Sequence, residues 1–142
     1  SEMCIRDSYK TMGKALELSL KDANISPDEI GYISAHGTGT YAGDIAETKA
    51  TEEIFKRPVP VSSLKSYTGH TLGACGSIEA IAAIDMMHRK WFNPTLNLNE
   101  VDNECGKLDY IKNQGREIDT NIVMSNNFAF GGINTSIIFK KI

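Results

Sequence analysis

Two short runs of β-compatible residues, 31–35 with Tyr32 and Ile33 and 59–62 with Val59 and Val61, each lead straight into a glycine-rich turn and then a helical stretch. That repetition constrains the fold more than any other feature. Strands that alternate with helices argue for a mostly parallel sheet with helices packed on it, and in such sheets ligands gather beyond the carboxyl ends of the strands. Both turns carry a histidine at that position: His36 in Ala-His-Gly-Thr-Gly-Thr (35–40) and His70 in Lys-Ser-Tyr-Thr-Gly-His-Thr-Leu-Gly-Ala (65–74).

The helical stretches follow from spacing. Between residues 9 and 24, Met12, Ala15, Leu16, Ser19 and Ala23 recur with helical period, and Ser26-Pro27-Asp28 ends the helix. Asp44 with Glu47 three residues on reads as a capping box that opens a second helix running to Phe55. Ala74, Ile78, Ile81 and Ala82 define one face of a third helix that ends near Arg89. Residues 93–119, with Pro94, several Asn, Gly106 and Gly115, read as surface connections holding one short strand at 108–111. Strands at 122–125 and 135–139 flank Phe128-Ala129-Phe130-Gly131-Gly132, whose glycines permit a tight turn. The expected order is α-β-α-β-α-β-β in one unit, residues 9–142. Residues 1–8 carry no apolar period leading into the helix and read as a doubtful leader.

Composition narrows the function. The chain has 142 residues, 41% of them hydrophobic, enough for a sizeable core. Fifteen basic and eighteen acidic side chains give a net charge of -3, and no Lys/Arg-rich stretch is interleaved with aromatics, so nucleic acid is not an expected partner. The longest apolar stretch, around Ile78 to Met87, is interrupted by Glu79 and Asp85 and cannot span a bilayer. Cys4, Cys75 and Cys105 form neither a metal-binding spacing nor an even disulfide set, which implies a reducing, cytoplasmic setting.

Paired imidazoles on tight loops suit acyl chemistry, because near neutral pH an imidazole accepts a proton or donates a hydrogen bond. No nucleophile accompanies them. Cys75, in Gly-Ala-Cys-Gly-Ser at a helix start where the dipole lowers a thiol pKa, invites a nucleophile reading but is better explained as a small buried side chain at a packed helix start. A zinc site from His36, His70 and Cys75 fits no familiar spacing, so no metal is expected. His88, beside Arg89 and Lys90, reads as a solvated last-turn cation outside the site.

His-Gly-Thr-Gly-Thr followed by Gly43-Asp44, then Lys-Ser-x-x-Gly-His-x-x-Gly-Ala, then Phe-x-Phe-Gly-Gly-x-Asn before a terminal strand resemble, in order, the C-terminal half of the β-ketoacyl-acyl-carrier-protein synthases. The resemblance covers nearly everything after Ser8. It implies the C-terminal half of a thiolase-like αβαβα layered fold, a mixed, mostly parallel sheet flanked by helices, with this half's first strand outside the chain. It implies decarboxylative Claisen condensation of an acyl thioester with malonyl-carrier protein in fatty-acid synthesis, by a cysteine that lies before these residues. It also implies acyl carrier protein as partner, a homodimer when whole, no bound cofactor, and substrates carried on phosphopantetheine.

Residue by residue, the resemblance makes His36 and His70 the catalytic pair and Lys65 their electrostatic support, with Glu79 as the acidic neighbour of Lys65. Thr38 and Thr40 match threonines that bind the pantetheine arm. Phe130 matches the gate and an oxyanion-hole N–H, and Asp44, Gly131 and Gly132 match supporting positions. Ala129 stands where many relatives have Gly, Cys75 where they commonly have a small residue such as Ala, and Tyr67 is larger than some equivalents. A polyketide-type ketosynthase and a non-catalytic chain-length-type partner subunit are the alternatives, and retention of both histidines and Lys65 argues against the second.

Overall fold

The computed structural model describes residues 2–142, apart from the side chains of residues 2–7 and of Phe130. The chain runs α1 (Glu2–Ala23), β1 (Tyr32–Ser34), α2 (Tyr41–Phe55), β2 (Pro60–Ser62), a one-turn α3 (Lys65–Thr68), α4 (Cys75–Arg89), β3 (Trp91–Phe92), β4 (Asp109–Tyr110), β5 (Arg116–Glu117), β6 (Ile122–Phe128) and β7 (Asn134–Lys140). Five strands form one sheet in the order β4-β2-β1-β6-β7. The pairs β2–β4, β1–β2 and β1–β6 are parallel, and only the β6–β7 hairpin is antiparallel. The mostly parallel sheet read from the alternation of elements is the one the protein builds.

Period-two side-chain geometry on β1 and β6 divides the core. Ile33 and Met124 point into one cluster with Leu16, Leu20, Phe55 and Val61, and Tyr32 and Val123 point into another with Leu64, Ala83, Met86 and Phe92. Helices α1 and α2 therefore cover one face of the sheet and α4 the other. Tyr32, Ile33, Val123 and Met124 are at most 1% exposed, which is why this stretch of β6 reads as a continuous apolar run rather than an alternating one. Burying each such side chain contributes about 1.5–3 kcal/mol. Across the sheet the Tyr32 hydroxyl pairs with Ser62 Oγ at 2.8 Å, so the phenol that Tyr32 sends into that layer is satisfied.

Three local readings change. The first helix expected from residue 9 begins at Glu2. Helix α2 begins at Tyr41, with Thr40 as the flanking extended residue (φ -101°, ψ 136°), and Asp44 N–H already donates to Thr40 O at 2.9 Å. Asp44 is thus inside the first turn rather than at the N-cap, and Glu47 reaches the amides of His36 and Gly37 instead, so Asp44 and Glu47 are not a capping box. The strand expected at 108–111 is β4, but the antiparallel ribbon of β3 and β5, pairing Trp91 with Glu117 and Phe92 with Arg116, was not read. Two-residue strands so far apart in sequence leave no periodic trace.

Gly106 shows how closely the long connection packs on α2. A Cβ there would lie 2.7 Å from the Thr48 carbonyl carbon and closer still to its oxygen, and both are backbone atoms that cannot turn aside. Gly106→Ala is expected to destabilise the fold by about 1–3 kcal/mol through overpacking, read as a lowered urea midpoint with unchanged slope.

Candidate active site

At the carboxyl end of β1 the chain turns sharply, and consecutive amides are turned toward one carboxylate. His36 N–H donates to Glu47 Oε1 and Gly37 N–H to Glu47 Oε2, each at 2.8 Å. On the other side Ser63 Oγ donates to Gly37 O at 2.7 Å. Gly37 has φ +40°, and a Cβ there would lie 2.6 Å from Ser63 Cβ, so the turn tolerates only glycine. Glu47 is 4% exposed, and burial pushes its carboxyl up to about 7, against the pull of the two amides.

The second turn leaves β2 through α3. Lys65 Nζ donates to Glu79 Oε1 at 2.5 Å, with the two side chains 5% and 1% exposed, so a complete ion pair lies within the protein beside the histidines. Gly69, at φ +69°, ends the turn and brings His70 round. Leu72 N–H donates to His70 Nδ1 at 3.1 Å, and Cys75 Sγ lies 3.4 Å from the same nitrogen.

The two turns converge. The His36 and His70 rings meet edge to face, centroids 5.4 Å apart at 85°, and Phe128 from the end of β6 stands edge-on to His36 at 6.2 Å. Burial above all, then the nearby charges of Lys65 and His70, push the His36 imidazole down to about 4, while the Asn127 side chain pulls the other way. His36 is therefore neutral at pH 7. A cleft of about 560 Å³ opens here, with Gly37, Thr38, Thr40, Lys65, His70 and Leu96 among its walls. Thr38 and Thr40 present their hydroxyls together on its rim, 3.0 Å apart. Burial raises the Asp44 carboxyl above its usual range, and the amides of Gly39, Thr40 and Thr38 partly offset this.

Thr38, Thr40, Asp44, Lys65 and His70 thus line one cleft, with His36 packed against His70 and Glu79 paired to Lys65 behind that wall. Gly131 and Gly132, both at φ +78°, form the exposed tip of the β6–β7 hairpin. The gate assigned to Phe130 lies outside the described side chains. Glu47, Asn127 and Phe128 were not read as part of the site. The trace of Glu47 in the sequence is its place on the inward face of α2 with Ala50 and Thr51, where an acid needs a buried partner. Among the described residues, no three His, Cys, Asp or Glu side chains gather closely enough to hold a metal ion.

The buried groups make stability depend on pH with opposing signs. Folded His36 stays neutral down to about pH 4 while an unfolded histidine charges near 6.5, so unfolding takes up a proton there and stability rises with pH. Folded Glu47 keeps its proton up to about pH 7 while an unfolded glutamate ionises near 4.5, so unfolding releases a proton and stability falls as pH rises. Glu47→Gln leaves the His36 contribution unopposed. Its urea midpoint is expected to climb more steeply from pH 4.5 to 6.5 than that of the parent. Separately, Lys65→Met strands the Glu79 carboxylate in the interior and is expected to cost about 3–5 kcal/mol. Adding Glu79→Leu to it recovers most of the loss in the same measurement.

Residues 1–99 match the family model described as beta-ketoacyl synthase, C-terminal domain. The chloroplastic 3-oxoacyl-[acyl-carrier-protein] synthase I of Hordeum vulgare is 39% identical over 130 residues, 90% of this chain and 28% of that protein. The 3-oxoacyl-[acyl-carrier-protein] synthase 2 of Vibrio harveyi is 42% identical over 132 residues, 90% of this chain and 32% of its own length. Among solved structures, a beta-ketoacyl synthase from Burkholderia phymatum STM815 superposes with a TM-score of 0.92 at 56% identity, over 94% of this chain and 33% of that one. The chain spans about a third of the length of these relatives. With its fold, its motifs and its sequence all in agreement, the chain belongs to the β-ketoacyl synthase family and corresponds to the C-terminal domain of those enzymes.

Proposed function

We propose that the polypeptide carrying this domain is a 3-oxoacyl-acyl-carrier-protein synthase of fatty-acid synthesis, and that this domain supplies the groups that decarboxylate a malonyl thioester. The observation that carries the reading is the pair of imidazoles in edge-to-face contact at 5.4 Å beside the cleft. A malonyl thioester loses carbon dioxide when the C2–carboxylate bond breaks and its electron pair passes into an enolate, and catalysis consists of stabilising the new negative charge on the thioester oxygen. His36, neutral at pH 7, offers a ring N–H for that oxygen. His70, whose Nδ1 accepts the Leu72 amide, carries its neutral-ring proton on Nε2 and offers that one. The Lys65–Glu79 pair sets a fixed charge pattern behind them.

The enolate carbon then attacks an acyl thioester on a cysteine outside these residues, and the thiolate leaves. Cys75 is 3% exposed and does not serve as that nucleophile. No bound cofactor takes part. The phosphopantetheine arm of acyl carrier protein enters past the paired hydroxyls of Thr38 and Thr40, and one solved relative is a ketosynthase in complex with its acyl-carrier protein. We assign the whole protein to a homodimer in a reducing, cytoplasmic setting. Among the described residues, no helix is long and apolar enough to cross a membrane.

The test uses the polypeptide that carries this domain, with malonyl-carrier protein as substrate and release of carbon dioxide as readout. His36→Ala and His70→Ala are each expected to slow release by about 10²–10³-fold, the usual loss for one oxyanion donor. Release unchanged in both variants overturns the reading. Steady formation of 3-oxoacyl product by residues 1–142 alone overturns the placement of the nucleophile outside them.

A further inference from the structure

Behind the His70 ring, on the side away from its Nε2 proton, sits a thiol. Cys75 is the first residue of α4 and is 3% exposed, and its Sγ is 3.4 Å from His70 Nδ1. The same nitrogen receives Leu72 N–H at 3.1 Å. A backbone amide only donates, so Nδ1 must present its lone pair and carry no proton. That leaves the neighbouring thiol one role. Were Nδ1 protonated so that sulfur could accept, two N–H groups would face each other at 3.1 Å.

We propose that Cys75 is a positioning residue for His70, its S–H donating to Nδ1 alongside the Leu72 amide and holding the ring as the neutral Nε2–H tautomer. The pair of donors forms a three-centre arrangement on one acceptor. Neutral imidazole gains both bonds and imidazolium loses both, so the thiol favours the form that donates from Nε2 without taking a formal charge. The inference rests on the proposed role of His70, but its test is a property of the ring and does not require the reaction.

The experiment is two-bond ¹⁵N–¹H correlation of histidine-labelled protein, in the polypeptide that carries this domain, from pH 5 to 8. The parent is expected to show Nδ1 unprotonated and Nε2 protonated in the neutral form. Cys75→Ala removes one donor to the neutral ring, so the His70 midpoint is expected to rise by about half a pH unit, a threefold change in the imidazolium ratio. Cys75→Ser keeps a donor and is expected to restore the parent midpoint. A side chain that merely filled space would leave serine no better than alanine. A parent ring protonated on Nδ1, an alanine variant with the parent midpoint, or a serine variant that behaves like alanine each overturns the proposal. The first of these is read without any substitution, and a failed decarboxylation assay leaves all three readings intact.

Discussion

The contact between the Glu47 carboxylate and the amides of His36 and Gly37 is the interaction on which the site depends. Without it, two adjacent N–H groups at the end of a buried strand would face the interior unpaired, each at a cost of about 1–3 kcal/mol. With it, the turn after β1 is tied to the inward face of α2 and, through Ser63, to the end of β2. His36 is thus held by backbone rather than by its ring, and the imidazole is left free for chemistry. A side chain fixed through its main chain is preorganised without using its own hydrogen-bonding atoms.

The same economy governs the second turn. Lys65 and Glu79 offset one another's charge inside the protein, so the site contains a strong local dipole with little net charge. Desolvation, that ammonium and the neighbouring His70 keep His36 neutral at pH 7. Neutrality is what the proposed chemistry asks of it: a charged imidazole would bind the malonyl carboxylate tightly and resist its departure as carbon dioxide.

Much of this was legible from residue order. The alternation of short strands and helices, the placement of His36 and His70 in turns beyond strand ends, and the hairpin closed by Gly131 and Gly132 all follow from local pattern and backbone chemistry. What escaped was of another kind. Asp44 and Glu47 have the spacing of a capping box, and nothing local distinguishes that from a carboxylate reaching back to a different turn; only the tertiary path of the chain makes the choice. The β3–β5 ribbon joins segments separated by the whole long connection, and its two-residue strands are specified by packing alone. Phe128 reads as core in any strand, and its edge-on contact with His36 emerges only once β6 lies against β1.

The register of the central strands carries a further consequence. Tyr32 and Ile33 belong to opposite layers, and Ile33 and Ser34 pair with Val61 and Ser62 of β2, the strand that leads to the His70 turn. A slip of one residue would invert both layers at once. Alignment of the two histidine turns is therefore digital: misplacement of one strand against the other comes in steps of about 3.3 Å, against the 5.4 Å that separates the rings. The strands that sort the core into two layers thus also fix where the two histidine turns begin, so correct sheet register is a condition for the imidazole pair to form.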